Sequence, residues 1–491
     1  MAGCESLSPA GRRPPQCWLP SPNRLPPVRD KDLTPRTRRN HMAKSGITPR
    51  LRFAHAVAAW YDAEAYFRMR SRNGRPFGMA IPGLGEVLFA AHSEHVREFL
   101  TIPSSLLTPP MPNPIEPVVG DGSIILLDGV PHKRERARFL PALQGERIRR
   151  YADAMALAAE REIESWQPGT SIDARDGAQS ITLRIIVRTV FGIEDDARTD
   201  HFVHIVKSMM RNYVAPFMFF PALRRAPLGL GPWRRFSQRR TELDALLSQQ
   251  IALRRRTGTA GHDDVLSVLL SDDQAGDRSD DEVLQQLRTL LVSGHETSAT
   301  TLAWALFHIH DDDVVRARVL AELAGSPPPE DMPKLPYLSA VISETLRMHP
   351  TVSIVVRQLK STTEAWQIPR AAGDVIGVSL PALHADPVVW PNPGRFDPDR
   401  FLVRKPTPAE YSPFGYGHRR CPGAAFASLE LSIVLGTLLS QVELRLPHGK
   451  RRRKPPRSIP RGVAAVPNRP IKMQVIRKLP PTAEMKRGWK S

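Results

Sequence analysis

The clearest pattern of hydrophobic and polar positions runs from residue 280 to about residue 309. Apolar residues such as Val283 and Leu287 recur there at helical spacing, which is typical of an amphipathic α-helix. Ser279, followed three residues later by Glu282, has the spacing of a capping box and predicts where this helix begins. At a rise of about 1.5 Å per residue, a helix of this length spans roughly 45 Å. The pattern therefore predicts a helix that crosses a whole domain.

The middle of this predicted helix breaks the pattern. Residues 293–298 read SGHETS, and glycine in a helix interior costs about 1 kcal/mol relative to alanine. Serine and threonine also compete with the helix for backbone hydrogen bonds. Unfavourable residues at the centre of an otherwise regular helix indicate a functional site. A polar seam where two helices pack is the alternative explanation.

Two short regions have the character of β-strands. Near residues 77–90, the segments FGMAI and EVLFA flank the turn PGLG, which predicts a hairpin. A second pair of strands is predicted for AWQI and DVIGVSL, which are separated by Pro369 and Gly373. Long helical patterns with proline-marked loops fill the rest of the chain. The predicted fold class is therefore mainly α with a small β region.

The positive charge of the chain is concentrated at its two ends. The net charge is +19 over 491 residues, of which residues 1–41 carry +5 and residues 448–491 carry +13. The remaining body is nearly neutral. We therefore predict a disordered Pro/Arg-rich leader over residues 1–41, with Met42 as an alternative start. Residues 42–491 are predicted to form one domain that ends in a basic tail.

The charge distribution and the apolar content limit the possible classes of protein. A nucleic-acid binder is disfavoured because the basicity lies in the tails, where the run KRRRK (450–454) is typical of a solvated segment. No stretch approaches the roughly 20 apolar residues that span a bilayer, and the leader lacks the apolar core of a secretory signal. Three scattered cysteines exclude a disulfide scaffold and favour a reducing compartment. A cytoplasmic protein without a membrane span is predicted.

One cysteine stands out because of its surroundings. Cys421 is the only cysteine between residues 42 and 447, and it lies in the segment PFGYGHRRCPGAAF (413–426). Pro422 suits the first position of a helix, which would make Cys421 the N-cap of that helix. The free N–H groups and the partial positive charge of a helix N-terminus lower the pKa of a thiol and favour the thiolate.

The residues around Cys421 suit a large planar ligand. Arg419 offers a cation for a carboxylate at the rim of such a ligand, and Phe414 can pack against its face. Three glycines let the backbone approach a flat object and hydrogen-bond the sulfur: Gly415, Gly417 and Gly423. These residue types predict a thiolate ligand to a planar cofactor. Two alternatives stay open: a buried structural cysteine, and a nucleophilic cysteine with His418 as its base but no identified third group.

The spacing Phe414-x-x-Gly417-x-Arg419-x-Cys421-x-Gly423 is similar, at every fixed position, to the haem-binding signature of the cytochrome P450 superfamily. The resemblance implies the P450 fold and a haem b cofactor, whose iron takes the Cys421 thiolate as its axial ligand. Similar segments run in the family's order from about residue 77 to residue 446, which is nearly the whole body.

The segment SGHETS (293–298) resembles the oxygen-activating segment of the same family, and only Ser293 departs from the usual alanine or glycine. The resemblance implies that Gly294 leaves space for O2 beside the iron. It also implies that Thr297 bonds back to a carbonyl one turn earlier and opens the helix locally. The Thr297 hydroxyl, together with Glu296 and water, would then relay protons to the distal oxygen.

Further matches concern residues that support the cysteine loop or contact the haem. Glu344 and Arg347, three apart on a predicted helix, resemble the buried ExxR pair of the family, although such a pair is ordinarily a surface ion pair. Arg400, in the segment FDPDRF, resembles the third member of this structural group. The resemblance also implies that three basic residues contact the haem propionates: His132, Arg136 and Arg357.

The resemblance implies a monooxygenase that inserts one oxygen atom from O2 into a lipophilic substrate. Segments 101–120 and 203–223, which vary within the family, are rich in apolar residues and favour such a substrate. Because no flavin domain is attached, NAD(P)H-derived electrons are expected through a separate ferredoxin and ferredoxin reductase. Their docking face would include four basic residues: Lys133, Arg134, His418 and Arg420. The alternative is a haem-thiolate peroxygenase or dehydratase that needs no reductase.

Overall fold

The computed structural model describes residues 49–213, 217, 223–224, 231–271, 278–447, 455–461 and 464–479. All of them belong to one unit, Thr48–Ser491. The predicted leader (1–41) and the basic run 450–454 lie outside the described residues.

α-Helices form most of the described structure. In chain order they are α1 (Pro49–Tyr61), α2 (Ala63–Arg70), α3 (Ser93–Thr101), α4 (Glu116–Val119), α5 (Gly129–Phe139), α6 (Glu146–Arg149), α7 (Ala152–Ser165), α8 (Ala174–Thr189), α9 (Asp196–Asn212), α10 (Pro232–Thr257), α11 (Val265–Ser271), α12 (Asp280–Asp311), α13 (Asp313–Leu323), α14 (Pro336–Met348), α15 (Leu380–Leu383), α16 (Asp399–Val403) and α17 (Ala424–Gln441). Short 3-10 turns occur at Ser104–Leu106, Leu140–Ala142, Pro329–Lys334 and Gly417–Arg419.

The strands are short and lie in small sheets. They are β1 (Phe77–Ile81), β2 (Gly85–Ala90), β3 (Leu107–Thr108), β4 (Ser171–Asp173), β5 (Ile354–Leu359), β6 (Thr363–Ala365), β7 (Ile368–Arg370), β8 (Val375–Ser379), β9 (Val442–Arg445), β10 (Ser458–Arg461), β11 (Ala464–Pro467) and β12 (Lys472–Lys478). The largest described sheet has the strand order β1-β2-β8-β5-β3. Three smaller sheets contain β4-β12-β9, β6-β7 and β10-β11. The predicted class, mainly α with a small β region, is confirmed.

The two strand predictions have different outcomes. Strands β1 and β2 form the predicted antiparallel hairpin, with Phe77 opposite Phe89. The predicted pairing of AWQI with DVIGVSL is wrong, because β7 pairs with β6 while β8 pairs with β5 and β2. The five residues of β8 are all buried between its two neighbours. Of its two partners, β2 comes from a distant part of the chain, which local spacing does not reveal.

Helix α12 is the longest described helix, and it packs against α8, α10, α14 and α17. The predicted capping box is present, since the Ser279 hydroxyl accepts from the Glu282 N–H and the Glu282 carboxylate accepts from the Ser279 N–H. Val283 and Leu287 are fully buried in the main core, as their spacing predicts. The helix therefore begins where predicted and supports the site from its middle.

Helix α17 follows Cys421 and is apolar on all sides. Among the described residues it is the one helix long and apolar enough to cross a membrane by length and composition, and 78% of it is buried. A mostly apolar helix with such burial is typical of a protein core. It places the cysteine loop on the same core as α12.

Candidate functional site

The segment that carries Cys421 folds into a tight loop ahead of helix α17. The backbone N–H of Cys421 donates to the Phe414 carbonyl at 2.9 Å, and the Gly415 N–H donates to the Ser412 carbonyl at 2.9 Å. Gly415 and Gly417 have φ angles of 69° and 68°. Side chains rarely tolerate this left-handed conformation, so the path of the loop requires both glycines.

Cys421 precedes the helix instead of capping it. Helix α17 begins at Ala424 with Gly423 as its N-cap, so the predicted N-cap role of Cys421 is wrong. The chain makes a turn through Pro422 and Gly423 before the first helical residue. The Gly423 N–H nevertheless hydrogen-bonds the sulfur, which is the contact expected of this glycine.

Burial raises the pKa of the Cys421 thiol, while the Gly423 N–H and the guanidiniums of Arg136 and Arg420 offset part of that rise. The predicted lowering of this pKa is therefore wrong for the protein alone, because lost hydration outweighs the favourable charges. The residue keeps exposed surface although its sulfur is closely surrounded. A thiol gives up its proton on binding a metal cation, so the raised pKa does not prevent Cys421 from acting as a thiolate ligand.

The centre of helix α12 contains the predicted back-bond. The Thr297 hydroxyl donates to the Ser293 carbonyl at 2.9 Å, and the Ser293 hydroxyl donates to the Thr289 carbonyl at 2.6 Å. The expected local opening of the helix is not observed, since residues 280–311 form continuous α-helix. Ser293 and Thr297 are one turn apart and half-buried, whereas His295 and Glu296 are buried. Ser293 and Thr297 therefore mark the face of α12 that borders accessible space.

Gly294 is required for close packing against helix α8. A Cβ at residue 294 would lie 2.9 Å from Cδ1 of Ile186, which is closer than real Cβ atoms approach. The Cβ position of Gly294 is thus filled by Ile186, and the expectation that Gly294 leaves space for O2 stays a prediction. Ser293, the departure from the family pattern, is half-buried like Gly294.

Glu296 is held by two side chains of α8. Its carboxylate forms an ion pair with Arg175 and accepts a hydrogen bond from Gln179 Nε2 at 2.6 Å, and its side chain is only 4% exposed. The Glu296 carboxylate, which is predicted to relay protons with Thr297, therefore points toward α8 and away from the Thr297 hydroxyl. Arg175 and Gln179 carry no sequence signal for this role, because a routine helix surface would contain the same residues.

The Glu344–Arg347 pair is fully buried. Arg347 Nε and Nη2 donate to the Glu344 carboxylate at 2.6 and 2.7 Å, and both side chains are 0% exposed. Arg400 Nε lies 3.5 Å from the same carboxylate. The contacts agree with the structural role that the resemblance implies for these three residues.

His384 links this group to the cysteine loop. Arg347 Nη1 donates to the His384 carbonyl at 2.8 Å, and the Ser412 N–H donates to His384 Nε2 at 3.2 Å. Ser412 lies at the start of the loop, two residues before Phe414. The ion pair therefore positions the loop through an intermediate histidine that the sequence pattern does not indicate.

Because His384 is neutral in the folded protein, we expect the protein to lose stability in acid. Burial and the Arg347 charge lower the His384 pKa from 6.5 to about 3. Below pH 6.5 the unfolded chain binds a proton that the folded chain excludes, so stability is lost as the pH falls from 6.5 toward 3. At pH 5 we expect His384 to reduce the free energy of unfolding by about 2 kcal/mol relative to pH 7.5.

Urea denaturation at the two pH values measures this loss. The control variant His384→Asn keeps an acceptor for the Ser412 N–H but does not titrate, so its pH dependence should be weaker. Equal pH dependence in the variant and the wild type would contradict the assignment.

Arg357 is a half-buried guanidinium that forms no ion pair among the described residues, and the nearest carboxylate that acts on its charge is that of Asp128. It donates to the Val356 carbonyl at 2.7 Å, and burial together with the nearby Arg419 lowers its pKa to about 10. A buried charge is costly unless an opposite charge neutralises it. The carboxylate of a ligand would provide that charge, so Arg357 fits a haem propionate.

The other predicted propionate contacts lie in two places. His132 is buried, and desolvation with nearby Arg419 lowers its pKa to about 4, so its imidazole is neutral. Arg419 contacts the carbonyls of Ile125 and Leu127 and the carboxylate of Asp128. The charge of Arg419 acts on both His132 and Arg357.

Arg136 is placed differently from the other three basic residues. Its Nη1 donates to the carbonyl of Arg420 in the cysteine loop at 2.6 Å. The structure therefore connects Arg136 to the backbone next to Cys421, where its charge also acts on the thiol.

A sequence model of the family described as Cytochrome P450 matches residues 66–475 of the chain. The chain belongs to the cytochrome P450 family. Among curated relatives, putative cytochrome P450 135A1 of Mycobacterium tuberculosis is 31% identical over 381 residues, covering 75% of this chain and 81% of the relative. Putative cytochrome P450 138 of the same organism is 30% identical over 390 residues, covering 77% and 84%.

Solved P450 structures share the fold. The structure titled "Retinoic acid bound cyanobacterial CYP120A1" has a TM-score of 0.73 at 22% identity, over 86% of this chain and 97% of that chain. The cytochrome P450DA heme domain has a TM-score of 0.72 at 23% identity, over 85% and 92%. The family and the P450 fold are thus confirmed. The chain is an oxidoreductase of a family of haem-thiolate monooxygenases.

Proposed function

We propose that this P450 inserts one oxygen atom from O2 into a lipophilic organic substrate, in a pocket between the Cys421 loop and helix α12. The observation that carries the proposal is Arg357, a half-buried cation that forms no ion pair among the described residues and feels Asp128 only from a distance, in a site that also contains the one described cysteine. A cofactor with an iron at its centre and carboxylates at its rim satisfies both residues.

Each residue of the site has a defined task toward that cofactor. When bound, the haem supplies the redox-active iron at which O2 is activated. Cys421 Sγ would hold the iron, and the Gly423 N–H would stabilise the charge on the sulfur. Arg357, Arg419 and neutral His132 would hold the propionates.

The Thr297 hydroxyl is oriented for proton transfer. Its O–H donates to the Ser293 carbonyl, so its oxygen lone pairs remain free to accept a hydrogen bond from water. A fixed hydroxyl that can accept and pass on protons suits oxygen activation, where two protons are consumed for each oxygen atom inserted. Glu296 supplies no direct contact to Thr297 here, since it is paired with Arg175.

Thr297→Ala should leave the haem bound but divert NADPH-derived electrons to hydrogen peroxide. We expect the ratio of product formed to NADPH consumed to fall by about tenfold, within what a lost proton-transfer group can cost. Thr301→Ala is the matched control, because Thr301 makes the same kind of back-bond, to the Thr297 carbonyl at 3.0 Å, one turn further along. Equal coupling in both variants would remove Thr297 from proton transfer.

Apolar packing beside helix α12 supports an apolar substrate. Val118 and Val119 of helix α4, which packs against α12, are buried in the main core. Two hydrogen bonds fix the loop after α4 to α12, from the Gly122 N–H to Gln285 Oε1 at 2.7 Å and from the Ile124 N–H to Gln286 Oε1 at 3.1 Å. An apolar, fixed flank supports selection of a lipophile by shape.

Separate redox proteins are the proposed source of electrons. Four basic residues of the cysteine-loop side are exposed, namely Lys133, Arg134, His418 and Arg420. Arg420 also lines a groove of about 510 Å³ together with Tyr416. An acidic ferredoxin, reduced from NAD(P)H by a ferredoxin reductase, complements this surface, and its binding should weaken with salt. A cytoplasmic location is part of the same proposal.

Isotope labelling tests the reaction class. Haem-loaded protein, NADPH, a ferredoxin and its reductase should give a product that contains one ¹⁸O atom from ¹⁸O2. Product formation from peroxide alone, with none from the complete reductase system, would favour the peroxygenase alternative and overturn the proposal.

A further inference from the structure

Helix α1 has an apolar face that no described residue covers. Ala54, Val57, Ala58 and Tyr61 are all exposed, and their helical spacing places them on one side of α1. Val57 is 50% exposed and Tyr61 is 63% exposed, and the neighbouring Trp60 is 46% exposed. A helix at the surface of a soluble protein normally turns polar side chains to water. This face therefore indicates a contact with another apolar surface.

The opposite side of α1 packs on the rest of the fold. Ala59 is 6% exposed and belongs to the same core cluster as Tyr66 and Phe67 of α2 and Phe77 of β1. The helix also contacts strand β10. The exposed face is therefore held in a fixed position, and it is not the side by which α1 joins the core.

Basic sequence from both ends of the chain enters the fold beside this face. The stretch 33–61, which ends in α1, contains six Lys or Arg residues and no Asp or Glu. From the other end, the guanidinium of Arg457 lies over the Tyr61 ring, 3.5 Å from the ring centroid. Arg457 follows the run KRRRK (450–454) by three residues. The two most basic parts of the sequence thus adjoin the apolar face.

This combination has the chemistry of a contact with a membrane surface. Tryptophan and tyrosine are enriched where hydrocarbon meets lipid headgroups, because each ring has an apolar body and a polar group. Clusters of Lys and Arg are attracted to anionic lipids. Nucleic acid would complement the charge but offers no apolar surface to α1. A second copy of the chain would cover the apolar face but would bring like charges together.

We propose that the exposed face of α1 docks the protein on the surface of an anionic phospholipid bilayer. Val57, Trp60 and Tyr61 enter the headgroup region, and the adjoining basic sequence contacts lipid phosphates. The contact is peripheral, because α1 has 13 residues and is too short to span a bilayer. Docking does not depend on haem binding, and it brings the protein to the phase in which lipophilic substrates dissolve.

Sedimentation of the full chain with lipid vesicles tests the docking. Vesicles of phosphatidylcholine that contain about 30% phosphatidylglycerol should bind the protein at least about tenfold more strongly than vesicles of phosphatidylcholine alone. Binding should weaken at about 0.5 M salt, because salt screens the attraction between the basic residues and the lipid phosphates. Absent binding to the anionic vesicles, or equal binding to both kinds of vesicle, would overturn the proposal.

Two triple variants test whether the α1 face makes the contact. The first replaces its three largest exposed side chains: Val57→Ser, Trp60→Ser and Tyr61→Ser. Its binding to the anionic vesicles should fall at least about tenfold, because the apolar contact is lost while the charge is unchanged. The control makes the same change at three exposed apolar residues elsewhere in the chain: Val388→Ser, Leu402→Ser and Val403→Ser. The control should bind like the wild type, and equal binding by the two variants would overturn the proposal.

Fluorescence quenching locates the contact and does not require the loss of binding. Anionic vesicles with brominated acyl chains should quench part of the tryptophan emission of the wild type. Trp60→Phe keeps an apolar ring at this position, so it should still bind but lose most of the quenching. Unchanged quenching in Trp60→Phe would place the contact elsewhere and overturn the proposal.

The other occupants of the face give different results. A second copy of the chain would give a dimer that the α1 triple variant dissociates, and nucleic acid would give binding to double-stranded DNA that this variant retains. Either result without vesicle binding would overturn the proposal. A wild type that binds anionic vesicles but no haem would remove the proposed function and leave the docking standing.

Discussion

Cys421→Ala is expected to abolish the thiolate-ligated haem spectrum completely. Cys421 is the one cysteine among residues 42–447, so no other thiol of the body can replace it as an iron ligand. The hydrogen bond from the Cys421 N–H to the Phe414 carbonyl holds the loop that carries the sulfur. An alanine at this position keeps the same backbone N–H and therefore the same loop conformation. The variant should therefore fold but show, with any haem that it retains, no red-shifted carbon monoxide band.

The double variant Cys4→Ala/Cys17→Ala is the matched control for thiol loss, since both residues belong to the leader sequence. It should keep the band at full intensity for its haem content. A Cys421→Ala protein that retains the red-shifted band would exclude Cys421 as the ligand. Measured haem content per chain distinguishes lost ligation from lost haem.

Arg347→Ala is expected to reduce the free energy of unfolding by about 3–5 kcal/mol. The substitution leaves the fully buried Glu344 carboxylate without its bidentate partner, and it removes the donor to the His384 carbonyl. Because His384 accepts from the start of the cysteine loop, haem content should fall together with stability. Denaturant unfolding with parallel haem quantification measures both effects.

Arg404→Ala provides the control for a lost arginine. Arg404 pairs with Glu410 at 3.0 Å but is 42% exposed, and exposed pairs contribute about 0–1 kcal/mol. Its loss should leave haem binding unchanged. Similar stability losses in the two variants would contradict the special role of the buried pair.

The parts of the fold that depend on local sequence were predictable. The capping box at Ser279 and Glu282 positions the start of α12, since both hydrogen bonds join residues three apart. The Thr297 back-bond and the Glu344–Arg347 pair are likewise contacts within one turn of a helix. Hydrogen bonds of this range are encoded by spacing alone.

The contacts that sequence reasoning missed join distant segments. Gly294 meets Ile186, more than 100 residues earlier, and Glu296 meets Arg175 at a similar separation. Strand β8 pairs with β2 from the opposite half of the chain. Such partners are selected by packing of whole elements, which periodicity does not specify.

The sequence contains one sign that Glu430, a buried acid of helix α17, is unusual. Glu430 interrupts the apolar sequence of α17, the most apolar of the described helices, where an ionisable residue is costly. Its environment became clear only from the packing of α17 on α12. The Cys421 pKa shows the same limitation, since the predicted helix dipole is outweighed by burial, a tertiary property.

The optical spectrum of the purified protein, reduced and treated with carbon monoxide, tests the central claim most directly. A strongly red-shifted Soret band that disappears in Cys421→Ala is the predicted result, and it would establish thiolate-ligated haem in the loop described here. A Soret band at the position of haem with a neutral axial ligand, or no haem band after reconstitution with haem, would contradict the account.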